Sequence, residues 1–78
     1  MDINKLREDI ALQFMDEDQA GVKIENDFRS LETYDSLTGM AILTIIQDEY
    51  GVEIPVDEYR KLSSVRALFD YIQSKKNE

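Results

Sequence analysis

Apolar side chains recur at helical spacing in three separate segments of the chain. The first segment has them three and four residues apart, at Ile3, Leu6, Ile10 and Phe14. This period predicts a helix from roughly Ile3 to Met15 that buries one face, and Asp2 is a suitable N-cap for it.

The second segment is the most apolar of the three, because residues 40–46 read MAILTII. We predict a helix over Ser36–Tyr50, ended by Gly51 in the left-handed conformation. A helix in a small bundle needs only one apolar stripe. The stripe and its flanks are predicted to be Ile42, Ile46 and Tyr50, with Leu43 and Ile45 beside them. The row that is left to face outwards comprises Leu37, Met40 and Thr44.

The third segment is predicted to form a helix from Val65 to roughly Ser74, capped by Ser63 or Ser64. Its apolar side consists of Val65, Leu68, Phe69 and Ile72. Two lysines follow, at the end where the helix dipole favours cations.

Two connections join these helices. Pro55 interrupts the later one, where Asp57–Lys61 is predicted to form one short helical turn with Tyr59 and Leu62 packed inward. The earlier one, Asp16–Asp35, is long for so small a domain, and long connections are often functional. We expect four scattered apolar side chains to hold it against the core: Val22, Ile24, Phe28 and Leu31.

The predicted fold class is therefore all-α: a small bundle of three main helices plus one short helix, with a long loop between the first and second helices. A chain of 78 residues provides one core, so we expect a single domain over residues 1–78. No stretch reaches the ~20 apolar residues of a membrane span. The N-terminus also lacks the basic-then-apolar order of a secretory signal. A cytoplasmic monomer is the expectation.

The net charge of −8 argues against binding to nucleic acid or to anionic membranes, both of which attract basic surfaces. Between Ser30 and Tyr59 the chain has seven acidic residues and no lysine or arginine. A field of one sign steers proteins of the opposite charge towards it. Proteins with basic docking surfaces are therefore the expected partners.

Histidine and cysteine are both absent, which removes the usual bases, thiol nucleophiles and zinc ligands. Ser36 has no histidine to activate it, so we do not expect an enzyme. Residues 16–27, DEDQAGVKIEND, match part of a calcium loop. Ala20 and Asp27 stand where that loop needs a ligand and a glutamate. We expect an acidic surface loop there and no metal site.

Asp35-Ser36-Leu37 lies where the long connection meets the second helix. Either Asp35 or Ser36 suits the N-cap position, which contributes ~1 kcal/mol. A capping box with Glu or Gln three residues later is not expected, because those positions hold Thr38 and Gly39. A hydroxyl at a helix N-terminus is also well placed to receive a phosphate group, since the free N–H groups favour an anion. From the residues alone, both roles stay open.

The chain resembles the acyl carrier proteins across almost its whole length. The resemblance rests on Asp35-Ser36-Leu37 at the start of the second helix, on QDEYGVEIP over Gln47–Pro55, and on SSV followed by LFDYI in the last helix. Asp-Ser-Leu alone would be a weak signal. The spacing of the other motifs, the length and the acidity together make the resemblance specific.

The resemblance implies that a phosphopantetheinyl transferase attaches 4′-phosphopantetheine from coenzyme A to Ser36 Oγ, using Mg²⁺ and supplying the base. The thiol of that arm would carry acyl groups as thioesters among acyl-transferring, ketosynthase-type or acyl-activating enzymes. The positions implied to face these partners are Asp35, Leu37, Met40, Asp48 and Glu49. The positions implied to shelter an acyl chain are Phe28, Ile42, Ile46, Ile54, Leu68 and Ile72.

The sequence departs from the family's pattern around the serine. Tyr34 stands where the family usually has a small residue, and Thr33 replaces a common glycine. Many fatty-acid carriers have acidic residues at three positions that are here Thr38, Ala41 and Gln47. Gly39 also weakens the first helical turn by up to ~1 kcal/mol relative to alanine. The helix is thus less acidic than in standard fatty-acid carriers, which leaves fatty-acid, polyketide-like, aryl-polyene-like and other specialised pathways open.

The alternative function is a small acidic protein–protein interaction module in which Asp35-Ser36 is only a helix cap. The two functions differ in one consequence of replacing Ser36. In the interaction module the change would cost some stability and leave partner binding unchanged, whereas a carrier would lose its attachment point.

Overall fold

The computed structural model describes residues 1–77, and every regular element among them is a helix. In chain order they are α1 (Ile3–Ala11), α2 (Asp16–Gln19), a 3₁₀ helix (Phe28–Ser30), α3 (Ser36–Tyr50), α4 (Val56–Tyr59) and α5 (Val65–Lys76). The three long helices confirm the predicted all-α bundle, and α4 is the predicted short helix. Within residues 1–77, no helix combines the length and the apolar character that crossing a bilayer requires.

α1 begins where the sequence predicts and ends earlier. The Asp2 carboxylate caps it by accepting a hydrogen bond from the Asn4 N–H at 2.9 Å. The predicted end at Met15 is wrong, because α1 ends at Ala11 and a tighter turn follows, in which the Phe14 N–H donates to the Ala11 carbonyl at 3.0 Å. Residues three apart lie on one side of both an α-helix and such a turn. Phe14 therefore stays buried, and the apolar spacing does not reveal where the helix stops.

The core lies between α1, α3 and α5. Two side chains from α1, two from α3 and three from α5 are completely excluded from solvent: Leu6, Ile10, Ile42, Ile46, Val65, Leu68 and Ile72. Burying each of them contributes about 1.5–3 kcal/mol, which makes this layer the main source of stability. Tyr50 is partly buried at the end of α3, and its hydroxyl donates to the buried Asp9 carboxylate at 2.9 Å. The predicted stripe of α3 is confirmed, with Leu43 and Ile45 partly buried beside it.

The ends of α3 and α5 follow from local chemistry. Gly51 has φ = 71°, in the left-handed region, and its N–H donates to the Gln47 carbonyl at 3.0 Å. Ser64 caps α5 by accepting a hydrogen bond from the Ala67 N–H at 3.1 Å. α5 runs to Lys76, two residues beyond the predicted end, because its last turn contains the cations that the helix dipole favours.

The short helix begins one residue earlier and ends two residues earlier than predicted. α4 begins at Val56, directly after Pro55, and ends at Tyr59, whereas Asp57–Lys61 was the expected range. Pro55 has no N–H and its φ is compatible with a helix start, so the helix can begin at once after it. Tyr59 is buried and Leu62 partly buried, as predicted.

The segment between α1 and α3 contains two short helices and is hydrogen-bonded to the rest of the bundle. α2 and the 3₁₀ helix both lie in it, which corrects the prediction of a plain long loop. Val22 and Phe28 are buried, as predicted. The Arg66 N–H donates to the Ile24 carbonyl at 2.9 Å, and the Phe28 N–H donates to the Ser63 carbonyl at 3.0 Å. These bonds fix the segment to the start of α5, and so fix the path by which it reaches Ser36.

Candidate functional site

Ser36 is the first residue of α3, and its hydroxyl is not part of the helix cap. Asp35 is the N-cap, and its carboxylate accepts a hydrogen bond from the Thr38 N–H at 2.9 Å. The Asp35 N–H donates in return to the Thr38 hydroxyl at 3.4 Å. Ser36 is exposed, and within residues 1–77 its hydroxyl has no hydrogen-bond partner. The choice of cap that the sequence leaves open is thereby decided in favour of Asp35.

The reciprocal bonding of Asp35 and Thr38 is a capping box, which the sequence was predicted to lack. The prediction considered only Glu or Gln at the third helical position. A threonine hydroxyl reaches the N-cap N–H in the same way, and it also donates to the Asp35 carboxylate at 3.1 Å. Thr38 is buried in this arrangement. The first turn of α3 is therefore held without any contribution from the Ser36 side chain.

The hydrogen bonds from Thr38 also set the charge state of the cap. They hold the pKa of Asp35 below its ordinary value of 3.8, the backbone N–H being the larger cause and the threonine hydroxyl the next. The carboxylate is thus ionised beside Ser36 at neutral pH. A depressed pKa in the folded state means that the ionised cap favours folding above the ordinary pKa.

This cap predicts a specific loss of stability in acid. The contribution of Asp35 is complete above pH 3.8 and is lost as the pH falls through its lower folded-state pKa. Asp35→Asn retains a capping oxygen but cannot ionise. Its unfolding free energy, measured with urea from neutral pH into acid, should therefore approach that of the wild type as the pH drops. Asp70→Asn, at an exposed position of α5, is the control for loss of one negative charge. A constant gap between wild type and Asp35→Asn at all pH values would contradict the expectation.

Four of the residues proposed to face partners surround Ser36 or continue along α3. Leu37 is 72% exposed and Met40 63% exposed, and both Asp35 and Asp48 are on the surface. Leu37, Thr44 and Asp48 recur at spacings of seven and four, so they lie on one side of α3. The predicted outward row of Leu37, Met40 and Thr44 is confirmed as exposed.

Glu49 lies apart from this row. It follows Asp48 by one residue, which places it about 100° further around the helix axis. Its carboxylate is 3.8 Å from Lys5 Nζ, on the side of α3 that faces α1. Glu49 is exposed at the end of the bundle, but the structure does not bring it onto the same surface as Leu37 and Met40.

A groove opens directly beside Ser36, between α3 and α4. We call it the Ser36 groove; its volume is about 370 Å³ and Ser36 itself is one of the lining residues. Its apolar wall consists of Met40, Leu43 and Val56. The rest of the lining comprises Arg29, Tyr34, Asp35, Gly39, Tyr59 and Arg60. The attachment position that the resemblance implies therefore adjoins a cavity of small-molecule size.

The two arginines of the Ser36 groove were not foreseen from the sequence. They stand just outside the thirty residues that contain no base, at Arg29 and Arg60, so the linear pattern suggested a purely acidic surround. The fold brings both to the same groove. The sequence does show that the two arginines directly flank residues 30–59, which contain no lysine or arginine. It does not show that they approach Ser36, because that depends on tertiary packing.

Arg29 organises the inner end of this groove. Its guanidinium lies 4.2 Å from the centre of the Tyr59 ring. It donates hydrogen bonds to the carbonyls of Tyr59 and Leu62, and to the Tyr34 hydroxyl at 3.3 Å. The Tyr34 and Tyr59 hydroxyls are 3.1 Å apart. Burial raises the pKa of the Tyr59 phenol, and the bond with Tyr34 raises it further, so the phenol is neutral at physiological pH.

Gly39 permits this arrangement. A Cβ atom at position 39 would lie 2.7 Å from the Tyr34 hydroxyl and 3.4 Å from the Tyr59 hydroxyl. The weak helix former in the first turn of α3 is therefore explained by a close approach of two tyrosines to the helix backbone. Glycine at this position destabilises the helix by up to ~1 kcal/mol relative to alanine, but it leaves the space that the Tyr34 hydroxyl occupies.

The residues proposed to shelter an acyl chain all lie in the hydrophobic core. They are Phe28, Ile42, Ile46, Ile54, Leu68 and Ile72, and each is buried. The ring centre of Phe28 lies 6.0 Å from that of Tyr34. These side chains pack against one another, so a chain would have to separate them in order to enter.

The acidic segment that partly matches a calcium loop has a different local structure. Asp16–Gln19 forms α2 instead of the start of an open loop. The Asp18 carboxylate accepts hydrogen bonds from the Thr33 N–H at 2.8 Å and from the Thr33 hydroxyl at 2.6 Å. Both bonds lower the pKa of Asp18, the hydroxyl being the larger cause. Within residues 1–77, no group of three or more potential metal-ligating side chains was found. The hydrogen bonds of Asp18 thus hold Thr33, and with it the segment that leads to Ser36.

A family model described as a phosphopantetheine attachment site matches residues 4–72 of the chain. The matched range begins in α1 and ends in α5, so it includes the whole bundle core and Ser36. A search of solved structures finds no match.

Proposed function

Because the chain belongs to the family of carrier proteins with a phosphopantetheine attachment site, we propose that Ser36 is the residue that carries the 4′-phosphopantetheine arm. The observation that carries this proposal is the free hydroxyl of Ser36. It is exposed at the start of a 15-residue helix while Asp35 and Thr38 form the cap between themselves. The hydroxyl is thus available to another protein without any loss of the cap.

The position of Ser36 favours the product of the modification. A phosphodiester at this hydroxyl would lie beside the N–H groups of the first turn of α3, where the helix dipole favours an anion. Arg60, an exposed residue lining the same groove, adds a positive charge to the surroundings. In the proposed reaction Ser36 Oγ attacks the pantetheine-linked phosphorus of coenzyme A, so the new phosphoester bond forms as the pyrophosphate bond breaks. The adenosine 3′,5′-bisphosphate half of coenzyme A leaves, and the hydroxyl proton passes to the transferase. The chain therefore needs no base of its own.

When bound, the arm supplies a thiol that holds acyl groups as thioesters. We propose that this cytoplasmic carrier, itself not an enzyme, presents them to acyl-transferring, ketosynthase-type or acyl-activating enzymes. Asp35, Leu37, Met40 and Asp48 form the proposed docking surface, an exposed apolar row with carboxylates at both ends. Such a surface suits a partner with apolar contacts and a basic rim. Glu49 can contribute to the field of charge, but it lies nearer to Lys5.

The core residues remain a second element of the proposal. Phe28, Ile42, Ile46, Ile54, Leu68 and Ile72 would line the shelter of an acyl chain that entered the bundle. The biosynthetic pathway, whether of fatty acids, polyketides or other specialised acyl products, depends on which enzymes recognise the docking surface.

One observation favours the alternative of an interaction module. Asp35 does cap α3, as that hypothesis requires. The capping bonds, however, do not involve Ser36, so the cap alone gives no role to its hydroxyl. The two hypotheses are separated by whether the serine accepts the arm.

The proposal is tested by incubating the protein with coenzyme A, Mg²⁺ and several phosphopantetheinyl transferases of broad specificity. We expect the intact mass to increase by one phosphopantetheine group. Peptide mapping should place the added mass on the peptide containing Ser36. Absence of any addition with every transferase, in protein shown to be folded by circular dichroism, would refute the carrier function.

A further inference from the structure

The Ser36 groove and the hydrophobic core are adjacent but separated. At the inner end of the groove the Tyr34 and Tyr59 hydroxyls approach to 3.1 Å. Behind them, the Tyr34 ring packs with its centre 6.1 Å from that of Phe14 and 6.0 Å from that of Phe28. Tyr59 is 4% exposed. The two side chains therefore stand between the attachment point and the packed interior.

Arg29 holds this pair in place from the side of the α1–α3 connection. Its hydrogen bonds reach the Tyr34 hydroxyl and the carbonyls of Tyr59 and Leu62. Its guanidinium also contacts the faces of Tyr59 and Tyr34, at 4.2 and 5.8 Å from the ring centres. The same side chain thus binds the tyrosine that precedes α3 and the one that ends α4. Separating those helices at this point would break the contact between the two tyrosine hydroxyls and the hydrogen bonds of Arg29 to one side or the other.

Gly39 completes the closure from the α3 side. Because a Cβ atom there would lie 2.7 Å from the Tyr34 hydroxyl, that hydroxyl sits directly against the helix backbone. Little space is left between Tyr34 and α3 for a chain of methylene groups. The outer part of the groove is different, since Met40 and Val56 are largely exposed there.

We propose that Arg29, Tyr34 and Tyr59 form a barrier between the Ser36 groove and the core, so that this carrier rests short acyl groups in the groove and does not draw long saturated chains into its interior. This inference rests on the proposed attachment at Ser36. The proposed occupant of the groove is the acylated arm of the protein itself, because the arm starts at Ser36, which is one of the groove's lining residues. The core residues named above shelter a chain only when the barrier is removed.

The test compares acyl chains of increasing length on the modified protein. Acetyl, butyryl, octanoyl and dodecanoyl pantetheine arms, with an amide in place of the labile thioester, are loaded onto Ser36 by the transferase. We expect the melting temperatures of the butyryl, octanoyl and dodecanoyl forms to agree within about 2 °C, whereas burial of the longer chains in the core would raise them by about 10 °C or more. The ¹³C methyl signals of Met40 and Val56 should respond to the cargo, while those of Ile46 and Ile72 should not.

Variants of the barrier reverse this behaviour. In Tyr34→Ala the melting temperature should rise with chain length, and the methyl signals of Ile46 should shift on octanoyl loading. Tyr34→Phe removes only the hydroxyl that lies against Gly39 and keeps the ring packed beside Phe28. Its melting temperature should also rise with chain length, but to a smaller extent. Tyr71→Ala, at a partly buried tyrosine of α5 outside the groove, is the control and should resemble the wild type.

The outcomes separate this inference from the function on which it rests. If no arm is added to the wild type, the attachment proposal is the one that fails. If the arm is added and the wild type already shows a length-dependent rise in melting temperature or shifted Ile46 signals, the barrier does not exist. Equal behaviour of wild type and both Tyr34 variants, with no dependence on chain length, would also overturn it, because the tyrosine would then not be what excludes the chain.

Discussion

Ser36→Ala is expected to accept no phosphopantetheine at all. The alanine lacks the oxygen to which the phosphoester bond forms. The adjacent Asp35 and Leu37 offer no hydroxyl, and Thr38 is buried within the capping box. The Tyr34 hydroxyl is bonded to Arg29 and Tyr59 at the inner end of the groove. The measurement is intact mass after incubation with coenzyme A and a transferase that modifies the wild type. The expected change is complete loss of the added mass.

The same variant should remain folded. Since Asp35 and Thr38 cap α3 without Ser36, the free energy of unfolding should change by no more than about 0.5 kcal/mol, as for other surface substitutions. Ser74→Ala, at an exposed serine within α5, is the matched control and should be modified like the wild type. A modified Ser36→Ala protein would show that another residue carries the arm. Normal partner binding by unmodified Ser36→Ala would support the interaction module instead.

Arg29→Met is expected to reduce the free energy of unfolding by about 2–4 kcal/mol, because hydrogen bonds from a charged donor contribute more than neutral ones and their loss leaves buried acceptors unpaired. Arg29 supplies donors to the carbonyls of Tyr59 and Leu62 and to the Tyr34 hydroxyl. Methionine retains an unbranched apolar stem but no donor. Urea unfolding followed by circular dichroism gives the difference, with the midpoint shifting and the slope unchanged.

Arg66→Met provides the matched comparison. Arg66 forms an exposed ion pair with Glu25 at 3.1 Å, and pairs of that kind contribute about 1 kcal/mol or less. The same chemical change at the two arginines should therefore have clearly different effects. If both variants lose a similar amount of stability, the contacts of Arg29 are not what holds α4 against the connection from α1.

Much of the fold was predictable because it depends on short-range sequence patterns. The apolar stripe of α3, its exact span of Ser36–Tyr50 and its end at Gly51 follow from helical periodicity and from the left-handed φ that glycine accepts. The end of α1 was not predictable, because Phe14 is buried by a tight turn at the same spacing that a longer helix would use. The capping box of α3 was missed because it employs Thr38 in place of an acidic or amide side chain.

The local features of the candidate site were predictable, and its contacts between residues far apart in sequence were not. The candidate attachment residue could be chosen from Asp35-Ser36-Leu37 and its spacing to Gly51 and Pro55, which are local features. Leu37 and Met40 are exposed as predicted, and their role in facing a partner stays a prediction. What was missed lies far away in sequence: Arg29 and Tyr59 are thirty residues apart, yet they share a hydrogen bond beside Ser36.

The sequence by itself determined the three long helices, the acidity and the choice of Ser36 as the candidate attachment residue, because each depends on residue type and short-range spacing. Only the tertiary structure decided that Asp35, and not Ser36, caps α3, since that depends on the orientation of side chains around the helix start. Only the tertiary structure placed Arg29, Arg60 and two tyrosines around the serine. Their meeting is a consequence of how α4 and the α1–α3 connection pack against α3. Tyr34 before the serine and Gly39 in the helix after it are explained together, because the missing side chain of Gly39 leaves room for the Tyr34 hydroxyl.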